Sequence, residues 1–264
     1  MDVTRSATNW WHATNRPLTF QPAQWATRSD CSTTEPYTEY IWSKTSTMTN
    51  TSELDYANKN VYYCIDHCGC SRHGEPGIFG KTFKGILFLE RDLGYTKHFI
   101  DGHNRRIWEY GTNDMDYDAF QAYYIKNFLS FNHNKLFMDA FKKASGLSID
   151  DVAFTSLVHC CFKDNQFKDD ALPKCKKHVM AQINALKPQV IVAMGKTAIE
   201  FFKKETSADT NYYDVFNVLF PYPDGVRVQH IVTAPQISRM RDYNGEASKL
   251  WQLITQAVGK PGYV

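Results

Sequence analysis

The 264-residue chain is 43% hydrophobic and 22% charged, enough apolar material for one large or two small domains and too much for wholesale disorder. Its 30 Lys and Arg face 28 Asp and Glu, a formal net charge of +2, which excludes a polycationic tail but leaves room for a local basic face. No apolar run reaches the roughly 18 residues that a membrane-spanning helix needs. The stretch Met1–Asn9 has no apolar segment of the kind a secretory signal carries, so none is expected, and the sequon Asn50-Thr51-Ser52 is read as chance. Seven cysteines are too few for a disulfide scaffold, and their odd number fits a reducing cytoplasm.

Residues 1–60 hold four of the six tryptophans (Trp10, Trp11, Trp25, Trp42) among many Ser and Thr. Polar composition predicts loop, while that much aromatic surface predicts anchoring. An extended segment packed on a main domain of residues 61–264 satisfies both. From residue 84 the pattern changes. Gly85–Leu89 is apolar throughout, as in a strand buried on both faces. Tyr117, Phe120, Tyr124 and Phe128 recur at helical spacing over residues 116–131. Val152–Val158 predicts a second strand, and Cys175–Leu186 a helix with Val179, Met180, Ile183 and Leu186 on one stripe. Pro188–Met194 predicts a third strand, and Gly195 turns the chain into a helix ending near Lys204. Val226–Val232 predicts a fourth strand. The last helix uses Ala247, Leu250, Trp251, Ile254 and Val258. This alternation implies an α/β fold, a three-layer α/β/α sandwich around a central four-stranded parallel sheet. Ligands bind such sheets beyond the carboxyl ends of the strands, just after Leu89, Val158, Met194 and Val232.

Several motifs could carry chemistry. Gly195-Lys196-Thr197 follows an apolar strand, but a phosphate-binding loop needs a glycine where Val190 stands, so nucleotide hydrolysis is rejected. Six cysteines fall in two windows: Cys64, Cys68 and Cys70, then Cys160, Cys161 and Cys175. Two thiolates from each window would close a four-ligand site for zinc or an iron–sulfur cluster, and His67 could replace one sulfur. Buried free thiols are the plainer alternative. Asp92 follows the first strand and is either a carboxylate aimed into the cleft or a helix cap. The loop after the last strand, Thr233–Arg241, sets Met240 between Arg239 and Arg241. That composition suits phosphate contacts plus an apolar wedge between bases, or an ordinary solvated loop.

The stretch from Val152 to Phe202 resembles the uracil-DNA glycosylase superfamily, closest to its iron–sulfur branch. The resemblance rests on Val158-His159-Cys160, on Cys175 about fifteen positions later, and on the run from Ile183 through Met194-Gly195-Lys196-Thr197-Ala198. With the upstream cysteines and the strand from Gly85, it covers roughly residues 60–258. It implies a four-iron four-sulfur cluster on Cys64, Cys70, Cys160 and Cys175, with Cys68 competing, and zinc as the alternative metal. It places the first active-site motif on Glu90 to Tyr95. Asp92 then matches a catalytic aspartate, and Arg91 stands where the branch usually has Glu. Phe99 resembles the aromatic that stacks on a flipped base. Ser156 occupies the position of an Asn that reads uracil, and Ala234 that of a His that stabilises the departing anion. Gly94 takes the place of a Tyr that blocks 5-substituents.

A smaller reader, a missing His and an open 5-position imply a bulky base such as glucosylated hydroxymethylcytosine, which some superfamily members excise in antiviral defence. The expected protein is therefore a monomeric, cytoplasmic DNA glycosylase acting on phage or damaged DNA, with no membrane association. Asp92 and Arg91 would be catalytic. Phe99, Ser156, Gly94, Tyr95 and His159 would line the base site, and Gln236, Ser238, Arg239, Met240 and Arg241 would contact DNA. Three rivals remain: a repair enzyme for uracil or another deaminated base, a noncatalytic DNA-binding module, and a zinc-stabilised protein-interaction domain.

Overall fold

A computed structural model describes residues 51–62, 76–91, 117–159, 171–203 and 211–259. All of them lie in the compact unit Thr38–Val264. In chain order the elements are α1 (Thr51–Tyr62), β1 (Ile78–Phe79), β2 (Ile86–Glu90), α2 (Tyr117–Ser130), α3 (Asn132–Ser145), β3 (Val152–Ser156), α4 (Ala171–Leu186), β4 (Val190–Met194), α5 (Lys196–Phe202), β5 (Val215–Tyr222), β6 (Gly225–Ala234) and α6 (Tyr243–Gly259).

The four strands expected from apolar runs are β2, β3, β4 and β6. They pair in parallel and in the order β3-β2-β4-β6. Two antiparallel edge strands extend this core to six: β1 beside β3, and β5 beside β6. Every residue of β3 and β4 is buried, which explains why these segments read as unbroken apolar runs rather than alternating ones. The β5–β6 hairpin turns at Pro223–Asp224, where Asp224 accepts hydrogen bonds from Lys187 Nζ at 2.8 Å and Arg227 Nη2 at 2.6 Å.

Alternation along the strands feeds two cores. Ile86, Phe88, Val152, Phe154, Val190, Val192, Val232 and Ala234 pack with α2, α3 and α6. Leu87, Leu89, Ala153, Ile191, Ala193 and Ile231 pack with α4 and α5 on the other face. The first core centres on Phe88, which stacks on Phe154 (4.6 Å between centroids) and meets Phe137 and Phe141 edge-on. Gly77, at φ +106°, permits β1 to lie on β3, because a Cβ there would sit 2.2 Å from the Phe154 carbonyl oxygen.

Residues 51–62 correct one expectation. The last ten residues of the 1–60 stretch, expected to be extended, belong to helix α1. The helix is tied to α4 by a buried hydrogen bond from Gln182 Nε2 to Asn58 Oδ1 at 2.9 Å. The helices α4 and α6 also begin earlier than their apolar stripes suggest, at Ala171 and Tyr243.

Candidate functional site at the carboxyl edge of the sheet

The parallel strands end side by side. Pairing continues past the ends of β2 and β3, where Leu157 N–H donates to the Glu90 carbonyl (2.8 Å) and Val158 N–H to the Arg91 carbonyl (2.9 Å). Glu90 is registered with Ser156, and Met194 with Ala234. One residue beyond the Leu89–Ala193 pair, Glu90 comes beside Met194. Ser156, Glu90, Met194 and Ala234 therefore form one row across the sheet. Their side chains project to the α2/α3/α6 face, because each is two residues beyond a member of that core.

The chemistry of this row is uneven. Ser156 is 1% exposed, and its hydroxyl has no hydrogen-bond partner among the described residues. Met194 and Ala234 are fully buried and offer nothing polar. Glu90 and Arg91 are half-buried at the rim. An isolated buried hydroxyl carries a desolvation cost of about 1–3 kcal/mol, which a ligand group can recover. His159 lies buried three residues beyond Ser156, its ring edge-on to that of His178 on α4 at 6.3 Å.

Gly195 closes the β4 end at φ +81°, its N–H donating to the Ala234 carbonyl at 2.8 Å. A Cβ at Gly195 would lie 2.9 Å from Gln236 Cγ, so glycine lets the loop after β6 settle against the end of β4. That loop makes a 3-10 turn, Ile237–Arg239. Ser238, Arg239 and Arg241 are exposed, and Gln236 is half-buried. Met240 is placed otherwise than expected. It is only 5% exposed and belongs to the α3/α6 core, so its thioether is spent on packing and is not displayed as a wedge.

Glu246, in the first turn of α6, holds this loop. Its Oε1 accepts from the backbone N–H groups of Arg241 (2.8 Å) and Asp242 (3.2 Å), and its Oε2 accepts from the Tyr213 hydroxyl at 2.5 Å. Burial, then the Glu246 hydrogen bond and charge, push the Tyr213 phenol above its ordinary range. Lys249 Nζ lies 4.3 Å from the centroid of that ring.

Of the expected metal ligands, Cys175 is described. It is 3% exposed in the second turn of α4 and clusters with Val158, two residues before Cys160. Cys64, Cys68, Cys70 and Cys160 lie outside the described residues, as do Asp92, Gly94, Tyr95 and Phe99. The segment between α1 and β1 is anchored at both ends. Asn58 bonds Gln182 before it; after it, the Pro76 carbonyl accepts from Gln182 Nε2 (2.7 Å) and Thr155 Oγ1 (3.0 Å). Among the described residues, no helix is long and apolar enough to cross a membrane.

The parallel strands of this mixed sheet thus end in a row with a buried hydroxyl that has no partner among the described residues, and an arginine-bearing loop follows the last of them; in α/β sheets of this kind ligands bind at the carboxyl edge. Comparison with known families makes this specific: the model of the uracil DNA glycosylase superfamily matches residues 101–254, and the chain belongs to that superfamily. Its general class is therefore that of DNA glycosylases, with DNA as partner. No curated protein matches the chain.

Proposed function

We propose that the protein is a monofunctional glycosylase that excises a bulky 5-substituted cytosine, such as glucosylated hydroxymethylcytosine, and leaves an abasic site. The observation that carries this reading is a buried Ser156 hydroxyl, without a partner among the described residues, with Ala234 at the opposite end of the same row. The row holds a small hydrogen-bonding group and an alkyl group where the superfamily resemblance implies an Asn and a His. A site so furnished is poorly matched to plain uracil and leaves room for a larger base.

Flipping the nucleotide costs a few kcal/mol of unstacking, offset by contacts in the pocket. Arg239 and Arg241 hold the strand through phosphates. Gln236 and Ser238 add backbone contacts, while Phe99 and Tyr95 pack on the base beside the opening left by Gly94. The bond between C1′ and the base nitrogen breaks with its electron pair going to the base. Asp92 stabilises the cationic sugar and orients a water whose oxygen joins C1′, the O–H bond of that water breaking and its proton ending on the departing base. Cytosine leaves poorly as an anion, so a donor from Arg91 or His159 assists its departure.

A four-iron four-sulfur cluster on Cys64, Cys70, Cys160 and Cys175 is part of the proposal, with Cys68 as competing ligand and zinc as the other metal. Buried Cys175 beside Val158, and the anchored ends of the cysteine-bearing segment, support that donor set. The cluster would supply structure, tying that segment to the loop after β3. Defence against phage in the cytoplasm is the matching biological role.

The test is base release from DNAs containing uracil, cytosine, hydroxymethylcytosine or glucosyl-hydroxymethylcytosine, with abasic sites revealed by alkaline cleavage. Release confined to the bulky base and abolished in Asp92→Ala is expected. Release of uracil instead would favour the repair reading. DNA binding without any release, unchanged in Asp92→Asn, would favour a noncatalytic module.

A further inference from the structure

We infer that Glu90 reads the base at position 4, selecting pyrimidines that carry an exocyclic amine over those that carry a carbonyl; this rests on the glycosylase reading above and names the substrate class of that same site.

Three observations meet at this residue. First, Glu90 is the last residue of β2, registered directly beside Ser156 on β3, and the Leu157 N–H to Glu90 carbonyl bond at 2.8 Å fixes that register. Second, strand alternation sends both side chains to the same face, since Phe88 and Phe154 two residues earlier stack on each other there at 4.6 Å. Neighbouring strands lie about 4.8 Å apart, so the two groups can touch adjacent atoms of one ring. Third, the Ser156 hydroxyl is buried with no partner among the described residues, a group open to a ligand.

The chemistry of the pair is directional. A carboxylate only accepts hydrogen bonds, whereas a hydroxyl can donate one. Cytosine offers an amine donor at position 4 and an acceptor at the neighbouring N3. Glu90 accepting from the amine while Ser156 donates to N3 satisfies both. Uracil and its 5-substituted derivatives present the reverse order, a carbonyl at position 4 and an N–H at N3. The carboxylate would then face a carbonyl oxygen, acceptor against acceptor. Carboxylates accept from the cytosine amine in duplex readout for the same reason. The selection is independent of the 5-substituent and therefore compatible with a bulky one.

The decisive probes are two DNAs differing at one atom position, with 5-hydroxymethylcytosine or 5-hydroxymethyluracil at the same site. For each, base release and binding are measured with the full chain. The wild type is expected to favour the amine-bearing base by roughly 10²-fold, less than the roughly 10⁴-fold or more of fully buried readers, because Glu90 is half-buried. Glu90→Gln keeps the shape but adds a donor, and should shrink or reverse that ratio while Ser156 remains in place. Equal treatment of the two bases by the wild type would overturn the inference, as would a preference that survives Glu90→Gln in protein with an unchanged melting temperature. If neither base is released yet binding still prefers the amine in a Glu90-dependent way, the catalytic reading falls and the base reading stands. With neither release nor preference, both fall.

Discussion

Thr155 and Ser156 are neighbours on one strand and nearly equal in burial, yet their hydroxyls have opposite fates. The single Thr155 Oγ1 hydrogen has two acceptors in reach, Gln182 Oε1 (2.8 Å) and the Pro76 carbonyl (3.0 Å), within a network that also binds Asn58. Ser156 Oγ, on the other face, bonds nothing among the described residues. One hydroxyl is used to hold the fold and the other is kept in reserve. A satisfied buried network fixes a unique arrangement, whereas an unsatisfied group lowers stability until a ligand arrives.

That contrast can be broken from either side. The largest effect is expected from Gln182→Leu, which strips Asn58 Oδ1 of its partner and removes a donor from Pro76. Chemical denaturation should show a loss of roughly 2–3 kcal/mol. If the cysteine-bearing segment does hold a cluster, iron content and visible absorbance of the purified variant should fall as well. Thr155→Val should cost less, about 1–2 kcal/mol, because Gln182 keeps its bonds to Pro76 and Asn58. Ser156→Ala should leave stability equal to the wild type or up to about 1 kcal/mol higher, since no bond is lost and an unpaired buried hydroxyl is removed, while base release drops. A large destabilisation by Ser156→Ala would dissolve the comparison. Arg239→Ala with Arg241→Ala should leave stability untouched but flatten the dependence of DNA affinity on salt, by about 0.9 in slope for each phosphate contact removed.

The smallest expected effect concerns acid stability on the far side of the sheet. Burial acts to raise the Asp151 carboxyl, but hydrogen bonds from Ser148 and Thr82, with the Lys84 charge, hold it below its usual value. The folded value lies below the unfolded one. The stabilisation is therefore complete above the ordinary carboxylate value near ~4 and lost as pH falls through the folded value. Melting curves between pH 6 and 2 should show Asp151→Asn less acid-sensitive than the wild type in that lower range, with little difference in the shape of the curve above it.

The parallel core was legible because strands buried on both faces must be apolar at every position, as β3 and β4 are. The edges were not. β5 is exposed or half-buried at six of eight positions and includes Pro221, so it carries no unbroken apolar run. Helix α3 (Asn132–Ser145) contained its own signal in Phe137, Met138 and Phe141, but its N-cap position is Phe131, which has no side-chain capping bond to announce it. At the site, Ser156 and Ala234 could be placed because the strands that carry them have fixed ends. Glu90 was noticed only as the first letter of a motif, since a carboxylate at a strand end reads as solvated until the register shows what stands beside it. The burial of Met240 was equally invisible: a methionine between two arginines suits a loop tip and a core peg alike.

Glu246 grips the backbone of Arg241 and Asp242 with one oxygen and the Tyr213 hydroxyl with the other. The helix that begins there therefore carries its preceding turn as a rigid lever rather than trailing a tether. The entropic toll of ordering the backbone of that turn therefore falls on folding, and if an anion docks at Arg241 only the exposed side chain remains to be ordered.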